Sequence, residues 1–144
     1  MTAWLIIPQM IARIRHTVLA SLLLVLMTLG GVSISKACSN QAQQYFDEAY
    51  KYSIEGEYQK AIANYDEVIR LDFQLPKAYR NRGLAYFYLD QHDRAINDFD
   101  EAIRLDPQYA LAYANRGRAY EKLDQKDKRD ADKKRACELD SKYC

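Results

Sequence analysis

Residues 79–86 read YRNRGLAY and residues 113–120 read YANRGRAY, so one pattern returns after 34 residues. A second pattern returns with the same spacing, from AIANYDEVIRLD at residues 61–72 to AINDFDEAIRLD at residues 95–106. A fixed period of this length is typical of a helix pair that stacks on copies of itself. The sequence therefore predicts an all-α repeat protein, a class that usually binds other proteins and rarely catalyses.

The spacing of small and apolar residues predicts how the two helices of a unit pack. Gly83 lies inside the first helix, where glycine costs about 1 kcal/mol. Because it has no side chain, we expect the second helix to approach it closely near Ala95. Gly56 and Asp90 are predicted to form the turns inside two units. The apolar stripe of the second helix consists of Ala95, Ile96, Phe99, Ala102 and Ile103, at helical spacing.

After Cys38 the chain resembles the tetratricopeptide repeat family. That family has a large residue at position 4 of a 34-residue unit, a small one at 8, aromatics at 11 and 24, and alanines at 20 and 27. The resemblance implies a right-handed α-solenoid of three helix hairpins, which would follow the N-terminal signal or anchor helix that residues 1–37 predict on their own. The linker would be residues 38–41 and the units 42–75, 76–109 and 110–144. Unit two matches with Tyr79, Gly83, Tyr86, Ala95, Phe99 and Ala102.

Unit three departs from the pattern in its second helix, predicted at about residues 126–139. Arg129 replaces the small residue that should meet Gly117, and Lys133 replaces the aromatic residue of unit two. A polar outer face suits the last repeat of a stack. We expect this helix to be marginal and shifted in register, with the charged run 126–135 forming a solvated face.

Cys137 lies near the end of this predicted helix, and Cys144 follows it. On one unbroken helix, Cys137 and Cys144 would be about 10 Å apart along the axis, beyond disulfide reach. A bond between them requires the helix to end near Leu139. The resemblance to cysteine-rich bacterial repeat proteins, in which cysteines near this spacing staple helix ends, supports a disulfide there.

Residues 1–37 predict a bacterial secretion signal or N-terminal anchor. Arg13 and Arg15 precede an uncharged, mostly apolar run over residues 17–35, and small residues follow. Three interpretations stay open: ordinary cleavage before Cys38, a lipid on the sulfur of Cys38, or an uncleaved anchor. Each places the repeats outside the cytoplasm, in the periplasm or on a membrane facing it. The membrane would be contacted only through this segment or the lipid.

Composition excludes several classes of function. Three of the 21 basic residues lie in residues 1–37, which leaves 18 against 20 acidic ones in the body. This balance argues against nucleic acid as a partner, because phosphate binding needs a basic surface. The two histidines are His16 and His92, and no metal-ligand spacing, nucleophile elbow or phosphate loop accompanies them. We predict no catalytic, cofactor or metal site.

The family resemblance implies a concave groove lined by the first helix of each unit. Its aromatic residues would anchor a partner, its basic residues would attract acidic groups, and its asparagines would either bond a peptide backbone or brace neighbouring helices. Some family members grip a C-terminal carboxylate with Lys and Asn at two places that Phe46 and Tyr50 occupy here, so that clamp is not expected. The predicted groove residues are Phe46, Tyr50, Lys77, Arg80, Asn81, Leu84, Phe87, Tyr88, Asn115, Arg118 and Lys122.

Two hypotheses for the function follow. The first is a non-catalytic protein–protein interaction module, an adaptor or assembly factor of the cell envelope, that binds a peptide or helix in the groove. The second is a structural protein that forms a homo-oligomer through the groove or its open end.

Overall fold

A computed structural model describes residues 39–72 and 74–144, which form six α-helices and a short 3₁₀ turn. The predicted signal or anchor and Cys38 lie outside the described residues. Within this part of the chain no helix is long and apolar enough to cross a membrane. The elements are α1 (39–54), α2 (Tyr58–Leu71), α3 (Pro76–Tyr88), α4 (His92–Leu105), α5 (Ala110–Lys122), α6 (Lys126–Leu139) and the 3₁₀ turn Ser141–Tyr143.

The helices pack as successive antiparallel hairpins. Helix α3 packs on α4 and α5 on α6, while α2 contacts α3 and α4 contacts α5 across the steps between units. Pro76 opens α3 at its first turn, where a missing N–H costs no hydrogen bond. The predicted all-α solenoid is confirmed.

The core is built from alanines around a few large side chains. Tyr65, Val68 and Phe99 are the largest fully buried side chains. One cluster surrounds Tyr65 with Ala49, Ala61, Val68, Ala78 and Ala85, and a second surrounds Phe99 with Phe87, Ala95 and Ala119. Small residues let the helices approach closely, so each hairpin covers the apolar stripe of its neighbour.

The turn inside each hairpin uses a left-handed residue at one equivalent position. Gly56 has φ 77°, Asp90 has φ 57° and Asp124 has φ 56°. Glycine adopts this conformation freely, and aspartate is among the residues that tolerate it best. The predicted turns at Gly56 and Asp90 are therefore confirmed.

Gly83 permits the closest helix contact in the hairpin of unit two. A Cβ built on Gly83 would lie 2.8 Å from Cε1 of Phe99 and 3.1 Å from Cβ of Asp98. The predicted close approach is confirmed, although the nearest atoms belong to Phe99 and Asp98 rather than Ala95. At Gly117 the same Cβ would meet Cβ of Asp132 at 3.4 Å, the backbone oxygen of Arg129 at 3.5 Å and the backbone nitrogen of Lys133 at 3.9 Å.

Helix α6 keeps the register of α4, so the expected shift is wrong. Asp132 lies beside Gly117 as Asp98 lies beside Gly83. Asp132 is 5% exposed, so the run 126–135 is not simply a solvated face. The physical reason is an ion pair that buries this carboxylate, described below.

The chain turns back after α6 ends at Leu139. The Asp140 side chain accepts a hydrogen bond from the backbone N–H of Lys142. This turn brings the Cα atom of Cys144 to 4.7 Å from that of Cys137, within disulfide range.

Candidate functional site

An arginine in unit two connects three helices behind the groove. Arg82 on α3 donates from Nε and Nη2 to the two carboxylate oxygens of Asp98 on α4, at 2.8 and 2.6 Å. Its Nη1 donates to Oδ1 of Asp66 on α2 at 2.5 Å. The bidentate geometry fixes the angle between the helices as well as their separation.

Unit three repeats this arrangement one period later. Arg116 donates to both oxygens of Asp132 on α6, at 2.8 and 2.6 Å, and to Asp100 on α4 at 2.5 Å. Hydrogen bonds to Asp132 raise the pKa of Arg116 although burial opposes its charge. Arg82, Arg116 and their aspartate partners form an ion-pair ladder, which the sequence interpretation missed. The signal was present, because the arginine and both aspartates all recur at the 34-residue period.

Burial acts on both members of the pair in unit two. It opposes the charge of Arg82, but the hydrogen bonds and charges of Asp98 and Asp66 outweigh it and raise the pKa of the guanidinium. Burial also raises the pKa of the Asp98 carboxyl, while the neighbouring guanidinium works in the opposite direction. The charged form of each side chain is therefore stabilised by the opposite charge of its partner.

The groove contains a narrow cleft of about 100 Å³ above Tyr65. Tyr50 and Tyr88 are 55% and 52% exposed, and both line this cleft. The Tyr88 ring stacks on Tyr58 with centroids 5.0 Å apart. The structure thus brings together five of the predicted groove residues, namely Tyr50, Arg80, Asn81, Leu84 and Tyr88.

The floor of the cleft carries a buried hydroxyl. The Tyr65 side chain is fully buried, and its oxygen has no hydrogen bond of good geometry. Burial raises the pKa of Tyr65, although Ser53 and Asn81 lie close enough to oppose this shift.

Two of the predicted aromatic anchors are not on the groove surface. Phe87 is 8% exposed and packs with Phe99 and Ala119. Phe46 is half-buried, and its ring meets the ring of Tyr65 edge-on at 5.7 Å. Both side chains pack on the core: Phe87 belongs to the buried cluster around Phe99, and Phe46 packs against the cluster around Tyr65. The anchors that remain are Tyr50 and Tyr88.

The predicted asparagines are buried rather than presented to solvent. Asn81 is 9% exposed and reaches the cleft, whereas Asn115 is 5% exposed. The Nδ2 atom of Asn115 has no hydrogen-bond partner among the described residues. Both asparagines are therefore buried between helices, and only Asn81 lines the cleft.

The predicted basic residues differ in how firmly they are held. Nε of Arg80 donates to the Tyr109 hydroxyl at 3.2 Å. The exposed Arg118 lies 5.2 Å above the centroid of the Phe87 ring. Lys77 and Lys122 are exposed, and neither has an acidic partner among residues 39–72 and 74–144.

A larger cavity of about 440 Å³ lies at the end of the stack, between α5 and α6. Of the predicted groove residues it includes only Arg118. The sequence interpretation missed this cavity, although the replacement of Phe99 by Lys133 in the repeat alignment was its signal. In the part of the chain that the structure describes, no cluster of His, Cys, Asp or Glu could hold a metal ion.

Solved structures with this architecture are similar to the chain. The first TPR of Spaghetti (RPAP3), bound to the HSP90 peptide SRMEEVD, is 31% identical, with 72% of this chain and 82% of that chain covered and a TM-score of 0.70. The second TPR domain of human RPAP3, in complex with the HSP70 peptide SGPTIEEVD, is 29% identical, with 72% and 87% covered and a TM-score of 0.70. The Arabidopsis OM64 TPR domain is 25% identical, with 73% and 87% covered and a TM-score of 0.72.

Sequence comparisons give the family directly. A family model described as "TPR repeat" matches residues 49–90 and 83–124, and one described as "Tetratricopeptide repeat" matches residues 110–143. A comparison with curated proteins gives no match. Three consecutive units of the period, the hairpin packing and these matches agree, and the chain belongs to the tetratricopeptide repeat family.

Proposed function

We propose that this protein is a non-catalytic interaction module that binds a peptide or helix of another protein in its concave groove. The observation that carries the proposal is the cleft over Tyr65. Two exposed tyrosines, Tyr50 and Tyr88, flank a cleft that the polar side chains of Arg80 and Asn81 also line. Exposed aromatics beside a polar group of this kind are typical of the residues that dominate binding energy.

The structural neighbours support the class of ligand but not its identity. Two of them are bound to peptides that end in EEVD. In this chain Phe46 and Tyr50 occupy the places from which some family members grip a terminal carboxylate, and Phe46 packs against Tyr65. The ligand of this groove is therefore proposed to be an internal segment with an apolar side chain, rather than a chain end held by charge.

Loss of the cleft should weaken binding. Changing Tyr50→Ala together with Arg80→Glu removes one aromatic wall and reverses the neighbouring charge. We expect at least a tenfold higher Kd for the partner, equivalent to about 1.4 kcal/mol or more. The partner is identified by affinity purification from membranes and mass spectrometry, and binding is then measured by calorimetry with both purified proteins.

Arg104→Glu provides the matched control, since Arg104 is an exposed arginine on α4 that pairs with Glu101 away from the cleft. It should leave the Kd within twofold of the wild type. Unchanged binding by the double variant would rule out this groove as the binding surface.

The proposal places the module in the bacterial cell envelope. Basic residues, an apolar run and small residues follow one another in residues 1–37, as in secretion signals. Mass spectrometry of the N-terminal peptide separates cleavage before Cys38, a lipid on Cys38 and an intact anchor. Recovery of the intact chain from the cytoplasmic fraction would contradict export.

An exported chain could also keep the bond between Cys137 and Cys144, which would close a short loop at the end of α6. Closing a loop of this length constrains the unfolded chain and is expected to add about 2 kcal/mol to the free energy of unfolding. The variant Cys137→Ser with Cys144→Ser should lose that amount in urea unfolding. Adding dithiothreitol to the wild type should have the same effect, and an equal stability of oxidised and reduced protein would exclude a structural role for the bond.

A further inference from the structure

The end cavity exists because unit three lacks the ring that fills the same space in unit two. Above Gly83, the Phe99 ring lies so close that an added Cβ would contact it at 2.8 Å. Lys133 stands at the equivalent position in unit three, and no ring lies over Gly117. The floor of the resulting cavity is formed by Gly117, Ala114 and Ala136. These three residues have no polar side-chain atoms, so this floor suits contact with an aromatic ring.

The rim of the cavity carries three basic side chains, Arg118, Arg129 and Lys133, and two acidic ones, Glu121 and Asp130. Arg129 is paired with Asp130 at 2.8 Å and with Glu121 at 3.7 Å. Arg118 and Lys133 also line the cavity, and neither forms an ion pair within the described residues. Because Glu121 and Asp130 are both paired with Arg129, Arg118 and Lys133 remain as two unpaired cations beside an apolar floor. This arrangement favours a ligand that carries negative charge next to a ring.

Among the described elements, only α5, α6 and the 3₁₀ turn border the cavity. Helix α2 is covered by α3, and α4 by α5, whereas α6 contacts α5 and the 3₁₀ turn among the described elements. Tyr143 of that turn forms one wall of the cavity. A segment that docks here would occupy the place that the next hairpin takes in the two preceding units.

We infer that the end cavity binds a segment of another protein in which an aromatic side chain is flanked by carboxylates. The ring would lie on Gly117, where Phe99 lies in unit two, and the carboxylates would pair with Arg118 and Lys133. This inference deepens the proposed function by naming a partner chemistry. The cavity is separate from the cleft over Tyr65, so the two sites can fail independently.

The test uses capped pentapeptides and the full-length protein. The first peptide has phenylalanine between two glutamates on each side. The second has alanine in place of the phenylalanine, and the third has lysines in place of the glutamates. Fluorescence anisotropy of labelled peptides should show at least tenfold tighter binding of the first than of either other peptide. Equal binding of the phenylalanine and alanine peptides would overturn the inference.

The variant Lys133→Phe supplies the missing ring from the protein itself. It should weaken binding of the first peptide at least tenfold while leaving the Tm equal to or above that of the wild type. Lys134→Phe is the matched control, because Lys134 is exposed and outside the cavity. The affinity of this variant for the first peptide should stay within twofold of the wild-type value. If Lys133→Phe does not fold, Arg118→Glu should weaken the same peptide at least fivefold.

Two further outcomes separate this site from its alternatives. The groove variant Tyr50→Ala with Arg80→Glu should bind the first peptide as the wild type does, even if it has lost its natural partner. A loss of peptide binding in that variant but not in Lys133→Phe would overturn the inference. So would a wild-type dimer in sedimentation that Lys133→Phe converts to monomer, since the cavity would then be filled by a second copy.

Discussion

Changing Arg82→Ala is expected to lower the free energy of unfolding by about 3 kcal/mol, because it leaves a buried carboxylate without its counterion. The Asp98 side chain is 7% exposed, and its two carboxylate oxygens each accept a hydrogen bond from Arg82. The exposed Asp66 on α2 loses its contact as well, but it can be hydrated and should add little. Urea unfolding followed by circular dichroism measures the change.

Arg70→Ala is the matched control for this prediction. Arg70 pairs with Glu67 at 2.8 Å, yet both side chains are largely exposed on one helix. An exposed pair of this kind contributes about 0.5 kcal/mol or less. A loss below about 1 kcal/mol for Arg82→Ala, similar to this control, would show that the ladder is not a structural element.

The ladder explains why the polar last helix, α6, keeps the same register as α4. The stripe of α6 offers few large apolar side chains, which is why the sequence predicted a shifted helix. The pair of Arg116 with Asp132 instead fixes the same register that Arg82 and Asp98 fix in unit two. An ion pair of defined geometry specifies one alignment of two helices, whereas apolar contacts tolerate several.

The sequence could predict the fold because the signal for a helix pair repeats. The period, the turns at Gly56 and Asp90 and the close contact at Gly83 each follow from local physical rules. The partners of Arg82 could not be derived from one helix, since they lie on two others. They become visible only when three residues are compared across the period.

The candidate site was predicted less completely, for a physical reason. Position in a helix gives the direction of a side chain, but burial depends on what faces it. Phe87 has a groove position in the family pattern, yet Ala119 leaves room for its ring in the core. Tyr88 is the next residue, and its side chain stays exposed although the Tyr58 ring stacks on it.

The second large effect is expected at Phe99, the ring that unit three lacks. Phe99→Ala should lower the free energy of unfolding by about 4 kcal/mol, since the side chain is fully buried and its loss leaves a cavity. This is a large part of the stability of a domain of this size, about 5–10 kcal/mol. Lys133→Ala at the equivalent exposed position should change stability by about 0.5 kcal/mol or less.

A double-mutant cycle with Gly83 shows whether the ring itself limits the helix contact. Gly83→Ala alone should cost about 1–3 kcal/mol, because its Cβ would overlap a buried ring that cannot move aside. In the Phe99→Ala background the contacts with the ring are gone and the 3.1 Å contact with Cβ of Asp98 remains, while alanine gains up to about 1 kcal/mol of helix propensity over glycine. The double variant should therefore be more stable than the sum of the single changes by at least about 1 kcal/mol. Simple additivity would mean that Asp98 or the backbone, rather than Phe99, sets the distance between α3 and α4.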